Sequence, residues 1–253
     1  MGYTPPDIND STLESILSLT EIPIILGSLD TAPIWLSVKL ATVTTVLLLL
    51  IATPVAWWLA FAHHRVKSVI TAVSMLPLVL PPSVLGFYML LLLGTNGPLG
   101  RLTAELGLGT LAFTFPGLVI ASIIYSFPFA LQPILNAFEA IGRAPLEAAA
   151  TLRASPLARF FTIAIPLAKP GLLSAVVMGF AHTMGEFGVI LMIGGSIPGE
   201  TKVLSVAIYE QVEALQYSEA HVLSGGMLVF SFVVLWLLHQ LNSRRNAMKP
   251  VSN

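Results

Sequence analysis

Charge and cysteine are what this sequence has least of. Only 10% of its 253 residues are Asp, Glu, Lys or Arg, and 55% are hydrophobic, whereas an average soluble domain is about 25% charged. So few charges cannot cover a water-soluble globule, and so many apolar residues exclude a disordered chain. The absence of cysteine excludes disulfides, thiolate metal sites and a cysteine nucleophile. A formal net charge of −1 argues against nucleic acid as a partner, because phosphate binding needs a basic surplus.

Sequence motifs for catalysis and nucleotide binding are also missing. The chain contains no GxxxxGK[ST] phosphate loop, no HExxH and no GxSxG. We therefore predict no catalytic residue, no cofactor and no metal site, and the protein is not expected to be an enzyme. If it uses ATP, another chain must hydrolyse the nucleotide.

Five long apolar segments remain to be explained. A membrane-spanning helix needs about 20 apolar residues, because each residue advances roughly 1.5 Å across a hydrocarbon layer of about 30 Å. The segments that meet this length lie at about 34–60, 69–93, 116–138, 171–193 and 222–238. Strands of a β-barrel would be about 10 residues long with polar alternation, which these segments lack. The sequence therefore predicts an all-α, polytopic membrane helix bundle over residues 34–241.

The cations are distributed unequally over the links between these segments. Nine of the twelve Lys and Arg residues lie in the links after the first and third segments and in the tail, 242–253. Cations near the ends of spans resist translocation, so we predict an external N-terminus and a cytoplasmic C-terminus in the cytoplasmic (inner) membrane. Residues 1–33 are predicted to form an external segment with a short amphipathic helix, which Ser11 and Glu14 would begin as a capping box.

The link at 143–166 has an unusual placement of proline. Pro145 stands where a helix can begin, and Leu146–Arg153 is rich in strong helix formers. Ser155–Pro156 is expected to end this helix, and a second helix is expected to start at Pro156 and to end at Pro166. Two interpretations remain open on composition alone: a stiff helix–turn–helix that docks another protein, or an ordinary interfacial loop.

Part of this link resembles the EAA signature of ABC-importer permeases. The resemblance rests on Glu147-Ala148-Ala149 with Ile163, Ile165 and Pro166 at the expected offsets. In that family the link is the coupling helix, which seats in a cleft of the cytoplasmic ATPase. The residues that the resemblance assigns to ATPase coupling are Glu147, Ala148, Ala149, Arg153, Ser155, Ile163 and Pro166. The family usually has Gly where this chain has Arg153, so the sequence leaves the geometry of this turn open, while the docking role that the resemblance implies stands.

Further blocks resemble molybdate ABC transporter permease subunits. They are MLPLVLPPSVLGFYMLLLLG at 75–94, SFPFALQPILNAFEAI at 126–141 and the run at 182–213 that begins HTMGEFG. Together with the link, the likeness covers about 33–241. The sulfate permease pair shares the GEFG stretch and the EAA link, but PLVLPP and SIPGET, at 77–82 and 196–201, resemble the molybdate branch more closely.

The resemblance implies a type I ABC-importer permease fold and a set of partners. These are a second permease copy in a homodimer, two ABC ATPase subunits, an external substrate-binding protein and molybdate in transit through the bilayer. Two alternatives stay open: a sulfate or tungstate ABC permease, and a secondary transporter that works without ATP. The secondary transporter would be expected to show repeats with paired broken helices, and we find no internal repeat.

The fourth apolar segment holds the candidates for the pore or gate, which are His182, Gly185, Glu186 and Gly188. Glu186 is the only acid in any of the five segments, and a charge at mid-membrane costs about 2.5–3.5 kcal/mol on insertion scales. It is either part of a gate or a structural carboxyl, and His182, one helical turn earlier, is expected to be its partner. The spans contain no Lys/Arg cluster, which favours a low-affinity path with selection by an external protein.

Overall fold

A computed structural model of the chain describes residues 30–62, 64–107 and 109–247. Within these ranges the secondary structure is helical and contains no strand. The amphipathic helix expected near Ser11 lies outside the described residues, as does the end of the tail beyond Ala247.

The helices are, in chain order, α1 (Ala32–Phe61), α2 (His64–Val79), α3 (Pro82–Leu93), α4 (Pro98–Glu105), α5 (Phe115–Ile141), α6 (Ala144–Thr151), α7 (Pro156–Arg159), α8 (Ile165–Gly185), α9 (Gly188–Gly194), α10 (Leu204–Glu213) and α11 (Tyr217–Ala247). A π-helical turn, Phe160–Ala164, joins α7 to α8.

Five stretches of the described chain are long and apolar enough to cross a membrane, which confirms the all-α membrane bundle. They are Ala32–Phe61, Pro82–Glu105, Phe115–Ile141, Pro156–Gly185 and Tyr217–Leu237. The second and fourth differ from the predicted segments. The segment predicted at 69–93 divides at Leu80–Pro81 into α2 and α3, and the one predicted at 171–193 divides at Glu186–Phe187 into α8 and α9.

The centre of the bundle is formed by α1, α5 and α8. Small residues allow α8 to approach both neighbours, because a Cβ on Gly171 would lie 2.5 Å from the Pro133 carbonyl oxygen of α5, and one on Gly179 would lie 3.5 Å from Leu48 of α1. Ala175, between these glycines, is buried. These small residues therefore place α8 in the core of the bundle.

An aromatic cluster fixes the link to the bundle. The ring of Trp57, near the end of α1, packs edge-on against Phe138 of α5 and Phe160 of the π turn, with 5.2 Å between ring centroids in each case. Phe61 completes the cluster at 4.8 Å from Trp57. Edge-to-face packing of this kind contributes about 0.5–1.5 kcal/mol per pair, so the link is held rigidly at the end of α1.

The expectation that Pro166 ends the second helix of the link is wrong. The chain stays helical from Pro156 to Gly185, because the π turn precedes Pro166 and Ile165 donates to the carbonyl of Phe160, five residues back. Proline lacks an N–H and its ring clashes with the carbonyl four residues earlier. The wider π turn at this point lets the helix continue through the proline.

Candidate functional site

The turn after α6 is built around Arg153. Arg153 has φ +58°, its N–H donates to the carbonyl of Ala150 at 2.9 Å, and the N–H of Ala154 donates to that of Ala149 at 3.1 Å. These two bonds and the left-handed residue form a Schellman motif, in which glycine is the usual residue. Arg153 thus adopts the left-handed conformation that glycine would adopt, and this defines the turn geometry that the sequence left open.

Ser155 begins the second helix of the link rather than ending the first, which stops at Thr151. Its hydroxyl accepts a hydrogen bond from the N–H of Ala158 at 3.2 Å, as an N-cap residue does. The predicted start at Pro156 is confirmed. A Schellman turn followed at once by an N-cap leaves few free dihedral angles between the two short helices.

The residues predicted to couple to an ATPase differ in exposure. Glu147 and Ala148 are exposed, whereas Ala149 and the neighbouring Leu146 are buried against the bundle. Ile163 is half-buried on the core and Pro166 is exposed. The link thus presents one face to solvent while its other face anchors it. The assignment of these residues to coupling stays a prediction.

A polar network joins α5 and α8 inside the apolar bundle. His182 Nδ1 lies 2.8 Å from Ser126 Oγ, which lies 3.2 Å from Thr183 Oγ1, and the Thr183 hydroxyl donates to the Gly179 carbonyl at 3.0 Å. The His182 ring also stacks on Phe129 with 3.9 Å between centroids. The expected pairing of His182 with Glu186 is wrong, because the imidazole bonds a serine of the neighbouring helix.

Glu186 occupies the break between α8 and α9. The residue is 4% exposed, and neither carboxyl oxygen has a hydrogen-bond partner within the described part of the chain. Ser122 of α5, whose buried hydroxyl is also unpaired, faces it. The backbone carbonyl of Glu186 accepts from Ser205 Oγ at 2.6 Å, which ties the break to α10. Ser122, Ser126 and Ser205 were missed by the sequence analysis, and the four-residue spacing of the first two is the signal that could have indicated them.

The two glycines beside Glu186 have different surroundings. A Cβ on Gly188 would lie 2.8 Å from Cβ of Pro82, whereas one on Gly185 would meet only Met227 Cε, at 3.8 Å. The contact between Gly188 and Pro82 brings two helix breaks together, the one after Leu80 and the one at Glu186. The four gate candidates thus lie near one end of α8, and the link at 143–166 precedes its other end.

The loop between α9 and α10, which contains SIPGET, is held by its own side chains. Thr201 is fully buried, and its hydroxyl donates to the Gly194 carbonyl at 2.6 Å and accepts from the Ile197 N–H at 3.0 Å. Glu200 accepts from the N–H of Phe115 at 3.1 Å, at the start of α5. These bonds give the SIPGET residues a structural role in joining α9 to α5.

Comparison with known proteins places the chain among transport permeases. The family of binding-protein-dependent transport system inner membrane components matches residues 23–246. The molybdenum transport system permease protein ModB of Azotobacter vinelandii is 59% identical over 216 residues, which are 85% of this chain and 95% of that protein. ModB of Haemophilus influenzae is 37% identical over 185 residues, which are 73% of this chain and 81% of that protein.

A solved structure supports the same fold at lower identity. It is a bacterial alginate ABC transporter in complex with an alginate pentasaccharide-bound periplasmic protein. One of its chains matches with a TM-score of 0.73 and 16% identity, covering 94% of this chain and 87% of that one. At this identity the likeness concerns the fold alone, which is that of an ABC transporter permease.

Proposed function

The chain belongs to the family of binding-protein-dependent transport system inner membrane components, and on this basis we propose that it is the permease subunit of an ATP-driven molybdate importer in the cytoplasmic membrane. The observation that carries the proposal is the 59% identity to Azotobacter vinelandii ModB across 95% of that protein. The protein is a multi-pass transport component. It provides the path and leaves nucleotide hydrolysis to another subunit, so it is not itself an enzyme.

The proposed partners are those that the resemblance to ABC-importer permeases implies. Two copies of the permease form a homodimer, and an ABC ATPase subunit binds the link of each copy, with Glu147 on the exposed face. The rigid turn at Arg153 and the aromatic anchor at Trp57 support this role. A link that cannot flex independently transmits a displacement of the ATPase to α1, α5 and α8. An external binding protein delivers the oxyanion at the opposite end.

The proposed path passes the four gate candidates, His182, Gly185, Glu186 and Gly188. His182 and Tyr125 are half-buried beside one another, with 4.9 Å between ring centroids. Polar side chains without a permanent charge, such as these, suit a path for a dianion, because a cluster of Lys and Arg would hold the anion too tightly for release. α5 has no Lys or Arg, and Lys169 lies at the link end of α8. The arrangement supports a conduit of low affinity.

Reconstitution in proteoliposomes tests the ATP-driven importer. We expect radioactive molybdate to accumulate only when the permease, the cognate ATPase, the binding protein and ATP are all present. Uptake by the permease alone, without nucleotide, would instead support the secondary transporter and contradict the proposal.

Competition in the same vesicles tests the substrate. An excess of tungstate is expected to suppress molybdate uptake, because the two tetrahedral dianions are almost the same size. An equal excess of sulfate is expected to leave most of the molybdate uptake unchanged. Efficient sulfate accumulation at the expense of molybdate would assign the chain to sulfate transport. Titration of the purified binding protein with each anion shows whether the discrimination resides in that protein or in the permease.

Charge reversal in the link tests coupling. Glu147→Lys should abolish ATPase association and ATP-dependent uptake while the variant still inserts in the membrane. Glu105→Lys is the matched control, because Glu105 is an exposed glutamate of α4, outside the link. Wild-type association of the Glu147→Lys protein with the ATPase would remove the link from the coupling role.

A further inference from the structure

A groove of about 280 Å³ lies between the coupling link and the end of α1. We call it the link groove. Its lining residues come from three elements and the loop before α6, and they are Trp57, Phe61, Arg143, Leu146, Glu147, Pro156 and Arg159. The wall is therefore largely apolar and aromatic, with two arginines and one glutamate around it.

The two arginines give the link groove an unbalanced positive charge. Neither Arg143 nor Arg159 has a carboxylate oxygen within 4.0 Å among the residues that the structure describes. The Nε of Arg159 is buried and has no hydrogen-bond partner there. Glu147 offsets one of the two charges, but its side chain is exposed. A guanidinium with a buried, unpaired N–H is arranged to receive an acceptor that the chain itself does not supply.

The position of the link groove indicates which kind of molecule supplies the hydrogen-bond acceptor for these arginines. Trp57 and Phe61 lie in the last turns of α1, a helix long enough to cross a membrane, and the cations Arg65 and Lys67 follow it directly. Aromatic side chains beside cations at a helix end are typical of the boundary between hydrocarbon and headgroups. Basic pockets at the cytoplasmic ends of membrane helices bind the headgroups of anionic lipids.

We propose that the link groove binds the phosphate of an anionic phospholipid, with Arg143 and Arg159 on the phosphate oxygens and Trp57 and Phe61 against the glycerol and the first acyl carbons. Free phosphate shares the headgroup chemistry, but it would leave the aromatic wall without a contact. The assignment of the bound lipid to the cytoplasmic leaflet rests on the proposed function and orientation, whereas the proposal that the groove binds a lipid does not. The most exposed apolar residues of the link, Leu152 and Leu157, are 83% and 68% exposed and line no part of the groove. They remain available to a protein partner.

Tryptophan quenching tests the proposal directly, because Trp57 is part of the wall. The chain has four tryptophans, and the test protein keeps Trp57 while Trp35, Trp58 and Trp236 are changed to Phe. The purified permease is placed in phosphatidylcholine vesicles that contain increasing fractions of brominated phosphatidylglycerol or, in a parallel series, brominated phosphatidylcholine. Bromine quenches only tryptophans within contact range, so the signal reports lipid in the groove.

Brominated phosphatidylglycerol is expected to quench Trp57 at a lower mole fraction than brominated phosphatidylcholine does. Each arginine near an anionic headgroup strengthens binding about fivefold. Arg143→Gln and Arg159→Gln should therefore each reduce the preference about fivefold, and the double variant should abolish it. Arg153→Gln is the matched control, because it removes a cation from the same link outside the groove, and it should leave the preference unchanged.

Three results would overturn the proposal. The first is equal quenching by the two lipids in the unsubstituted groove. The second is an equal loss of preference in Arg153→Gln, which would indicate a diffuse surface charge. The third is loss of the preference on adding millimolar inorganic phosphate, which would assign the groove to a free anion. Circular dichroism of each variant confirms that it is folded. The measurement uses the permease alone, so its failure is distinguishable from failure of the proposed transport function.

Discussion

At the scale of single residues, burial of a carboxyl group imposes the strongest constraint. Glu186 is 4% exposed, its oxygens have no partner among the described residues, and it faces an equally unpaired Ser122. The break is tied to α10 by the backbone carbonyl of Glu186, which accepts from Ser205, whereas the carboxyl group makes no ion pair among the described residues. Both interpretations that the sequence left open, a gate residue and a structural carboxyl, stay predictions.

Two substitutions of Glu186 distinguish the effect of the side chain's shape on stability from the effect of its charge. Glu186→Gln keeps the shape and should change the free energy of unfolding by no more than about 1 kcal/mol. Glu186→Lys buries an uncompensated cation and should cost about 3–5 kcal/mol, by analogy with broken buried ion pairs. Thermal unfolding of the detergent-solubilised proteins measures both. A Gln variant as unstable as the Lys variant would indicate that an ionised carboxylate is required.

Arg153 is strained at its left-handed φ of +58°. A side chain in this region costs about 1–2 kcal/mol, and glycine removes that cost while adding about 0.5–1 kcal/mol of chain entropy. Arg153→Gly should therefore stabilise the protein by up to about 1 kcal/mol in the same unfolding measurement. Arg153→Ala is the control, because it removes the charge but keeps the Cβ. Equal destabilisation by Gly and Ala would show that the guanidinium, not the backbone, matters here.

At the scale of helices, α5 and α8 are held together by side chains far apart in sequence. Ser126 meets Thr183 and Ala137 meets Gly171, so residue numbers rise along α5 as they fall along α8 and the two helices are antiparallel. The interface has polar contacts at Ser126 and a close glycine contact at Gly171, nearer the link end of α8. In the proposed function it is the interface through which a displacement of the link reaches the gate candidates.

A double-mutant cycle tests the polar part of that interface. Ser126→Ala and Thr183→Val should each destabilise the protein by about 0.5–1.5 kcal/mol, because each removes a buried hydrogen bond. The double variant should cost less than the sum, with a coupling of about 1 kcal/mol. Ser174→Ala is the matched control on α8, since its exposed hydroxyl bonds only the Pro170 carbonyl of the same helix. Strict additivity of the two substitutions would show that the hydroxyls act independently.

Alanine substitutions at Gly188 and Gly185 test the contact between the two helix breaks, at Leu80–Pro81 and at Glu186. Gly188→Ala places a Cβ 2.8 Å from Cβ of Pro82 and should cost about 1–3 kcal/mol through overpacking. Gly185→Ala meets only Met227 Cε at 3.8 Å and should stay within about 0.5 kcal/mol. Unfolding temperatures and molybdate uptake of the two variants provide the comparison. Similar losses in both would indicate that the region is sensitive to any substitution.

At the scale of the whole molecule, the distribution of cations predicts the orientation in the membrane. The absence of cysteine makes this prediction testable by single-cysteine labelling without background. A membrane-impermeant maleimide should label Ala104→Cys, on exposed α4, in intact spheroplasts, and Ala150→Cys, on exposed α6, only after the membrane is opened or inverted. Labelling of Ala150→Cys from outside would reverse the orientation and place the link on the wrong side for an ATPase.

Much of the fold was predictable because membrane insertion depends on length and polarity, which are local properties. The apolar segments indicated five membrane helices, and Pro156 indicated the start of a helix in the link. The break at Glu186–Phe187 had no such signal, because no proline interrupts that segment. The continuation through Pro166 was also unpredictable, since it depends on a π turn that the packing of Phe160 on Trp57 holds in place.

By itself, the sequence determined the class of protein and the predicted orientation, since scarcity of charge and the placement of cations act on each segment separately. Only the tertiary structure decided which polar groups meet. His182 bonds Ser126, 56 residues away, instead of Glu186, one turn away, because α5 lies antiparallel against α8 and presents its hydroxyls there. The burial of Glu186 and the set of residues that line the link groove are decided in the same way, by helices that pack side by side in the bundle.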